Sequence, residues 1–267
     1  MAYRTNIYLV GAGPGDPELL TVKALRILQG ADVILYDSLV GGGILELANP
    51  GAELIDVGKR CGRHSMTQRE ISDLLVQKAL SGRVVVRLKG GDPMLFGRAA
   101  EEMDALEKQG LRFEVVPGVT TATAAAARLK LSLTHRQISR SVHFITGHAA
   151  EGGVPPHDFV ALTKVGGTLA IYMGGQTIGG FAAHLIEAGA DPALPTVAIE
   201  NVSLPAEKIT HGTLSSLPKL LMEAAQSGPV LIMAGEALRS PDSLRIVEEK
   251  SFRSLPVVEL YPLAESA

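Results

Sequence analysis

The sequence predicts an α/β protein built from two α/β domains, and three observations support this fold class. A chain of 267 residues is long enough for two medium-sized domains. Hydrophobic residues make up 46% of the chain and aromatic residues only 4%, which is typical of a globular protein rich in small aliphatic side chains. Short β-rich runs alternate with helical patterns along the first half, and this alternation indicates a mostly parallel sheet covered on both faces.

The first domain is predicted to begin with a strand that leads through a Gly-rich loop into a helix. The segment 19–28 places Leu20, Ala24 and Leu28 on one face, which is typical of an amphipathic helix. Further helices are predicted at 67–80 and 98–109. The predicted strands of this domain are 5–10, 31–36, 53–57, 83–88 and 113–116.

The alternation of strands and helices stops at Pro117 and Gly118, and an Ala-rich helix is predicted at 121–128. We place the first domain at 1–133 and the second at 134–240. The tail at 241–267 is charged and contains prolines, so we expect it to lie outside the core. In the second domain the predicted strands are 141–146, 168–173, 196–199, 208–211 and 230–234, and the predicted helices are 176–188 and 217–227.

Several classes of protein are disfavoured by the composition. No apolar run is long enough to span a bilayer and no basic-then-apolar leader begins the chain, so we expect a cytoplasmic protein without a membrane anchor. Cys61 is the single cysteine, which excludes an internal disulfide and a thiolate metal cluster within one chain. The seven His show no pairing typical of a helix-borne zinc site, so we expect no metal.

The basic residues are concentrated in one part of an acidic chain. The protein has 25 Lys and Arg against 28 Asp and Glu, a net charge of −3, yet no acid occurs between Glu114 and Glu151. This basic stretch favours a polyanionic ligand. Nucleic acid is disfavoured because aromatic residues are not interleaved with the charges and the pI is near 6.2. The basic side chains of the stretch are Arg128, Lys130, His135, Arg136, Arg140, His143 and His148.

Two Gly-rich loops predict small-molecule sites lined by backbone. Gly11, Gly13 and Gly15 follow the first strand with the spacing G-x-G-x-G, which is not the G-x-G-x-x-G of dinucleotide-binding proteins. The intervening prolines stiffen the turn and delay the helix. A nicotinamide-binding interpretation, with Asp37 on the cofactor ribose, is therefore weak but stays open. The second loop is 88–93, Leu-Lys-Gly-Gly-Asp-Pro.

Charged residues follow the strands that should end at the ligand-binding edge of an open α/β sheet. Asp37 follows the second strand and Lys59 follows the third. Asp37 as a turn or helix-cap residue is about equally plausible, and a solvated charge is the ordinary explanation for Lys59. Arg98 and Glu101 lie three apart on a predicted helix, where an ordinary ion pair would be unexceptional.

Nine short segments occur in a fixed order along the chain. They are 10–16 (VGAGPGD), 36–37 (YD), 57–60 (VGKR), 87–93 (RLKGGDP), 96–98 (FGR), 116–120 (VPGVT), 133–136 (LTHR), 146–148 (TGH) and 172–174 (YMG). Taken together, they give the chain a close resemblance to the tetrapyrrole methylases, and within them to the enzymes that methylate uroporphyrinogen III. The resemblance extends from about Asn6 to Glu236.

The resemblance implies a homodimer of two-domain subunits, with a parallel sheet in the first domain, a mixed sheet in the second and S-adenosylmethionine in the cleft between them. Asp37 is expected to act as general base and Lys59 as general acid. The expected substrate-binding residues are Arg98, Glu101, Arg136 and His148. The expected cofactor-binding residues are Pro14, Gly90, Gly91, Asp92, Leu95, Thr120, Thr121, Met173 and Val202.

The reaction that the resemblance implies is methylation of uroporphyrinogen III at C2 and then at C7, giving precorrin-1 and precorrin-2. The product serves cobalamin, siroheme and haem d1 biosynthesis alike, and the sequence does not distinguish these pathways. The eight carboxylates of the substrate fit the basic stretch, because Arg binds carboxylates bidentately. Two alternatives stay open at this stage: another precorrin methyltransferase and an NAD-dependent dehydrogenase.

Overall fold

The computed structural model describes residues 5–58 and 66–239. The described part of the first half forms a five-stranded sheet in the order β3-β2-β4-β1-β5, and every neighbouring pair is parallel. The strands are β1 Ile7–Gly11, β2 Val33–Tyr36, β3 Glu53–Asp56, β4 Val85–Lys89 and β5 Glu114–Val116. The helices are α1 Val22–Gln29, α2 Gly42–Leu45, α3 Gln68–Ala79, α4 Ala99–Lys108 and α5 Thr121–Leu129.

The described part of the second half forms another five-stranded sheet, in the order β6-β7-β10-β8-β9. Strands β6 and β7 are parallel and the remaining pairs are antiparallel, so the expected mixed sheet is confirmed. The strands are β6 Val142–Thr146, β7 Thr168–Tyr172, β8 Pro195–Glu200, β9 Lys208–Thr213 and β10 Val230–Ala234. The helices are α6 Phe159–Val165, α7 Ile178–Glu187 and α8 Leu217–Glu223.

Side chains of the first sheet alternate between two apolar layers. Ile34 and Leu88 face α1 and α2, whereas Leu35 and Val85 face α3 and α4. Because both faces are covered, the central strand β4 is buried along its whole length. This strand carries Arg87 on the α3–α4 side, in line with Val85.

Helix α5 connects the two halves of the molecule. It follows the last strand of the first sheet, yet Ala122 and Ala125 pack against Ala170 and Leu231 of the second sheet. Small side chains allow this close contact. The other face of the second sheet packs against α7 and α8. The predicted boundary at 133/134 falls in the connection between α5 and β6.

Local signals explain where several helices begin. Thr67 and Glu70 form a capping box at the start of α3. Thr21 caps α1, so this helix begins later than the predicted residue 19, after a short 3-10 turn at Pro17–Leu19. The short helices α2 and α6 were not predicted, since two glycines begin α2 and α6 has only seven residues.

No helix in residues 5–58 or 66–239 is long and apolar enough to cross a membrane. Lys59, Cys61 and the predicted tail lie outside the described residues.

Candidate active site

A cavity of about 790 Å³ opens between the two sheets, beyond the carboxyl ends of β2 and β4. First-half loops form one side, and loops after β7 and β8 and before β10 form the other. Open α/β sheets bind ligands at this edge, where loops from neighbouring strands converge. A cavity of this volume can hold a drug-sized molecule.

The Gly-rich loops at the cavity are joined by backbone contacts. Gly13 and Gly91 exchange hydrogen bonds of 3.1 Å and 2.7 Å between their amides and carbonyls. A Cβ added to Gly118 would lie 2.3 Å from the Gly91 carbonyl oxygen, and one added to Gly11 would lie 2.6 Å from the Gly118 Cα. Gly11 and Gly118 therefore allow the loops to pack. Gly91, by contrast, lines the cavity with a left-handed φ of +68°, and the nearest atom to an added Cβ is 3.9 Å away.

Four charged side chains, from β4, α4 and the loop after β2, meet at the floor of the cavity. Glu102 of α4 is fully buried and accepts from Arg87 Nε at 2.9 Å. Its two carboxylate oxygens also accept from Lys89 Nζ, at 2.9 and 2.8 Å. Gln68 Nε2 donates to Glu102 Oε1 at 3.2 Å. Arg87 in turn donates through its second terminal nitrogen to Asp37 Oδ1.

This charge cluster is balanced, with two cations and two carboxylates, as burial requires. Burial acts to lower the pKa of Arg87, but the charges of Glu102 and Asp37 outweigh it and raise that pKa. Burial and then the charge of Arg87 lower the pKa of Lys89 in spite of its contacts with Glu102. Asp37 is the exposed end of the cluster, with 27% of its side chain accessible, so the buried groups hold its carboxylate at the cavity.

Arg98 also lines the cavity, and it precedes the first residue of α4 with a left-handed φ of 54°. Its guanidinium pairs with both carboxylate oxygens of Glu101, at 2.7 and 2.8 Å. That hydrogen bonding holds the pKa of Glu101 below its usual range. Both side chains are about half exposed, so the ordinary ion pair that the sequence suggested is present at the cavity rim.

Backbone strain is concentrated around the cavity. Seven non-glycine residues of the described chain have positive φ, and four of them line this space. Left-handed geometry is unfavourable for residues with a Cβ and persists where the surroundings impose it, most often at functional sites. The four are Phe96, Arg98, Met173 and Asn201.

Tyr172 connects the second sheet to the N-terminus of α5. Its hydroxyl lies 2.6 Å from Thr120 Oγ1 and accepts from the Ala122 amide at 3.2 Å. Burial raises the pKa of this phenol. The ring also contacts Phe96, with centroids 5.1 Å apart. Tyr172 thus links the two halves of the cavity through these contacts.

The structure brings most of the predicted site residues together. All the predicted cofactor-binding residues line the cavity: Pro14, Gly90, Gly91, Asp92, Leu95, Thr120, Thr121, Met173 and Val202. Asp37 and Arg98 line it as well. Among the described residues, Glu101, Arg136 and His148 do not, and Lys59 lies outside the described ranges.

The basic stretch is distributed along α5, the following loop and β6. Arg128 pairs with Glu207 at 2.6 Å, and His143 Nε2 lies 3.1 Å from the Gly166 carbonyl. Arg136 and His148 are exposed. In the described chain the cations that line the cavity are Arg87, Lys89 and Arg98, from residues 87–98. Binding of a polyanion by the basic stretch therefore stays a prediction.

Sequence reasoning missed the buried members of the charge cluster. Arg87 and Lys89 were noted only as part of a loop motif, and Glu102 was not singled out. A signal was present, because two charges at i and i+2 interrupt the apolar run of β4 on one face. Charged residues inside a buried central strand need partners.

Comparisons with known proteins agree with this geometry. The model of the tetrapyrrole (corrin/porphyrin) methylases matches residues 6–218. The chain is 46% identical over 235 residues to the chloroplastic S-adenosyl-L-methionine-dependent uroporphyrinogen III methyltransferase of Arabidopsis thaliana, covering 87% of this chain and 63% of the relative. It is 44% identical over 243 residues to the S-adenosyl-L-methionine-dependent uroporphyrinogen III methyltransferase of Methanosarcina barkeri, covering 90% and 94%.

A solved structure shares the fold. The uroporphyrin-III C-methyl transferase of Thermus thermophilus, complexed with S-adenyl homocysteine, superimposes with a TM-score of 0.75 at 42% identity, covering 87% of this chain and 98% of that one. The chain spans only half the length of a siroheme synthase from Chromobacterium violaceum, to which it is 43% identical.

Proposed function

The chain belongs to the tetrapyrrole (corrin/porphyrin) methylase family, and we propose that it methylates uroporphyrinogen III at C2 and C7 with S-adenosylmethionine as methyl donor. The product is precorrin-2, formed through precorrin-1. The observation that carries this proposal is that the predicted cofactor-binding loops and Asp37 line the same cavity, where the buried Arg87 holds Asp37.

The residues present fit S-adenosylmethionine. Gly91 lacks a side chain and leaves space above its backbone. Pro14, Thr120 and Val202 add neutral surface suited to a nucleoside. These loops, with the other predicted cofactor-binding residues, would hold the donor. When bound, S-adenosylmethionine supplies an electrophilic methyl group on a sulfonium sulfur.

Asp37 handles the charge that methylation places on the macrocycle. Its carboxylate stabilises the developing cation and accepts the proton whose loss restores a neutral ring. Proton transfer to a positioned side chain contributes roughly 10²- to 10⁴-fold in rate. Arg87 holds Oδ1 of this carboxylate in place, which orients it towards the cavity. Lys59 remains the proposed general acid.

Holding the two reactants in contact accounts for much of the remaining acceleration, since effective molarities of about 10⁵ M or more are attainable. Arg98 suits this task because its guanidinium lines the cavity and is only half buried. A substrate carboxylate can replace Glu101 as its partner. Glu101, Arg136 and His148 complete the proposed substrate contacts.

We further propose a homodimer that acts in the cytoplasm, for which a mass of twice 28.1 kDa in solution is the test of assembly. The dehydrogenase alternative is not supported. The family model that matches residues 6–218 is that of the tetrapyrrole methylases, and the G-x-G-x-G spacing of the first loop is not that of dinucleotide-binding proteins.

The decisive experiment is the mass of the product. Enzymatically made uroporphyrinogen III is incubated anaerobically with the protein and S-adenosylmethionine, and a gain of two methyl groups is expected. A control without methyl donor should show no gain. If uroporphyrinogen III gains no methyl group while a later precorrin does, the protein is another precorrin methyltransferase; if neither is methylated, the proposal is wrong.

A further inference from the structure

The second-domain wall of the cavity differs from the first-domain wall in charge. Within the described ranges, the charged residues that line the cavity all belong to first-domain segments: Asp37, Arg87, Lys89, Asp92 and Arg98. The second-domain wall consists of neutral residues at 172–173, 201–202, 204 and 227–231. Met173 and Val202 of this neutral wall are among the proposed cofactor-binding residues, so the neutral wall would meet the methyl donor from the side opposite the Gly-rich loops.

One segment of the neutral wall, Ser227–Leu231, begins with a turn that is bound to a buried carboxylate. Glu200 is the last residue of β8 and is 7% exposed. A single oxygen, Glu200 Oε1, accepts from the Ser227 amide at 2.6 Å, the Gly228 amide at 2.6 Å and Ser227 Oγ at 3.0 Å. A carboxylate can accept several such bonds at once, and each is strengthened by its charge.

The same turn is pressed against the neighbouring part of the wall. The backbone amide of Asn201 donates to the Pro229 carbonyl at 3.0 Å. A Cβ on Gly228 would lie 2.0 Å from Asn201 Oδ1, so the two segments are in close contact. Asn201 itself has a left-handed φ of 54° and lines the cavity. A change in the position of the turn would therefore move both segments of the wall.

We propose that Glu200 is a positioning residue for the methyl-donor half of the cavity: its carboxylate fixes the Ser227–Gly228 turn and so preforms the neutral wall. This inference rests on the proposed function, since it assumes that the neutral wall meets S-adenosylmethionine. Glu200 acts through the turn and is not itself among the residues that line the cavity.

The ionisation of Glu200 gives the role a pH signature. Burial acts to raise its pKa, but the hydrogen bonds from Ser227 and Gly228 and the charge of Lys208 outweigh it, and the pKa lies below the usual value. Lys208 is the charged group that faces it, with Nζ 3.7 Å from Oε2. The carboxylate is charged at neutral pH, and the three bonds weaken as pH falls through its lowered pKa.

The experiment compares Glu200→Ala and Glu200→Gln with the wild-type chain, using calorimetry with S-adenosylhomocysteine as probe. Glu200→Ala should weaken its binding about tenfold or more, because all three donors lose their acceptor. The KM for uroporphyrinogen III should change less than about threefold. Glu200→Gln should recover most of the affinity, since its amide oxygen can accept the same bonds.

Asp158→Ala is the matched control. Asp158 Oδ1 accepts from the Ala161 amide at 2.9 Å and caps α6, outside the cavity lining. The Asp158→Ala substitution should lower the melting temperature and leave the affinity for S-adenosylhomocysteine unchanged.

The pH dependence is the second measurement. Wild-type affinity should fall on acidification, whereas Glu200→Gln should show a flatter profile, and this comparison stands even if Glu200→Ala does not fold. The inference would be overturned if folded Glu200→Ala bound S-adenosylhomocysteine with wild-type affinity. It would also be overturned if Glu200→Ala weakened the binding of S-adenosylhomocysteine and of uroporphyrinogen III equally, or if the wild-type chain and Glu200→Gln showed identical pH profiles. If the wild-type chain itself does not bind the probe, the proposed function fails instead.

Discussion

Replacing Glu102 with Gln should destabilise the protein strongly, and the loss should depend on pH. Glu102 is fully buried and is the shared partner of Arg87 and Lys89, whose side chains are 2% and 3% exposed. The substitution keeps the volume but leaves two buried cations with Asp37 as the single remaining carboxylate of the cluster. Removing one partner of a buried ion pair costs about 3–5 kcal/mol. Gln keeps one acceptor, so we expect the lower end of this range.

The expected shift in melting temperature follows from the size of the molecule. At about 2–4 °C per kcal/mol for domains of 150–250 residues, a loss of about 3 kcal/mol lowers Tm by roughly 6–12 °C. The matched control is Glu101→Gln, one residue earlier on α4. Its ion pair with Arg98 is about half exposed on both sides, so its removal should cost less than about 1 kcal/mol.

The pH dependence comes from Lys89. Burial lowers its folded-state pKa below the unfolded value, while Glu102 opposes the shift. Between the folded and unfolded pKa values the unfolded chain binds more protons, so stability rises with pH, by up to about 1.4 kcal/mol per unit. Without Glu102 the folded pKa falls further and this window extends towards neutrality. The deficit of Glu102→Gln should therefore shrink as the pH is raised.

Thermal and urea unfolding of both variants, followed by circular dichroism at about pH 7 and about pH 9.5, measures these effects. The reasoning is refuted if Glu102→Gln unfolds within about 1 kcal/mol of wild type at neutral pH. If Glu102→Gln loses the same large free energy of unfolding at both pH values, Lys89 does not titrate as the cluster requires.

Three further predictions concern the proposed activity. Gly91→Leu should abolish binding of S-adenosylhomocysteine in calorimetry. The left-handed backbone at this position should cost the variant only about 1–2 kcal/mol of stability. An unchanged affinity would show that this loop does not contact the donor. Asp37→Asn should keep that affinity but lower the single-turnover rate about 10²- to 10⁴-fold; a near-normal rate would leave Asp37 a structural role. Arg98→Ala should weaken uroporphyrinogen III binding on the order of 2 kcal/mol, more than Arg136→Ala, and wild-type binding should weaken as salt rises. Equal losses for the two arginines would mean that Arg136 contributes as much to substrate binding as Arg98 does.

Much of the fold was predictable because its signals are local. Short continuous apolar runs, separated by helical patterns, predicted the five strands of the first sheet. Strands that are buried on both faces require such runs. The start of α3 was predictable within one residue, because Thr67 and Glu70 satisfy the first amides of the helix. Helix α2 could not be predicted, since its Gly42 and Gly43 have low helix propensity and tertiary packing of Ile44 stabilises the turn.

The Gly-rich loops that line the cavity were also predictable, because glycines next to strand ends are a linear signal. The order of the motifs along the chain pointed to the family, and the prediction that Asp37 is the reacting carboxylate rests on that resemblance. The backbone of these loops contacts the ligand directly in the proposal, so residue type and spacing carry the information.

The partners of Asp37 were decided by tertiary structure. Glu101 and Glu102 are adjacent in an acidic segment, and the rotation of α4 against the sheet decides that Glu102 is buried and Glu101 exposed. Likewise, Glu200 meets Ser227 only because β8 and β10 are neighbours in the second sheet. The sequence by itself therefore determined most of the elements, their order and the Gly-rich loops that line the cavity, because propensity, capping and apolar periodicity act between near neighbours. Which buried charges neutralise one another was decided by the tertiary structure alone, because that pairing depends on distances between elements far apart in the chain.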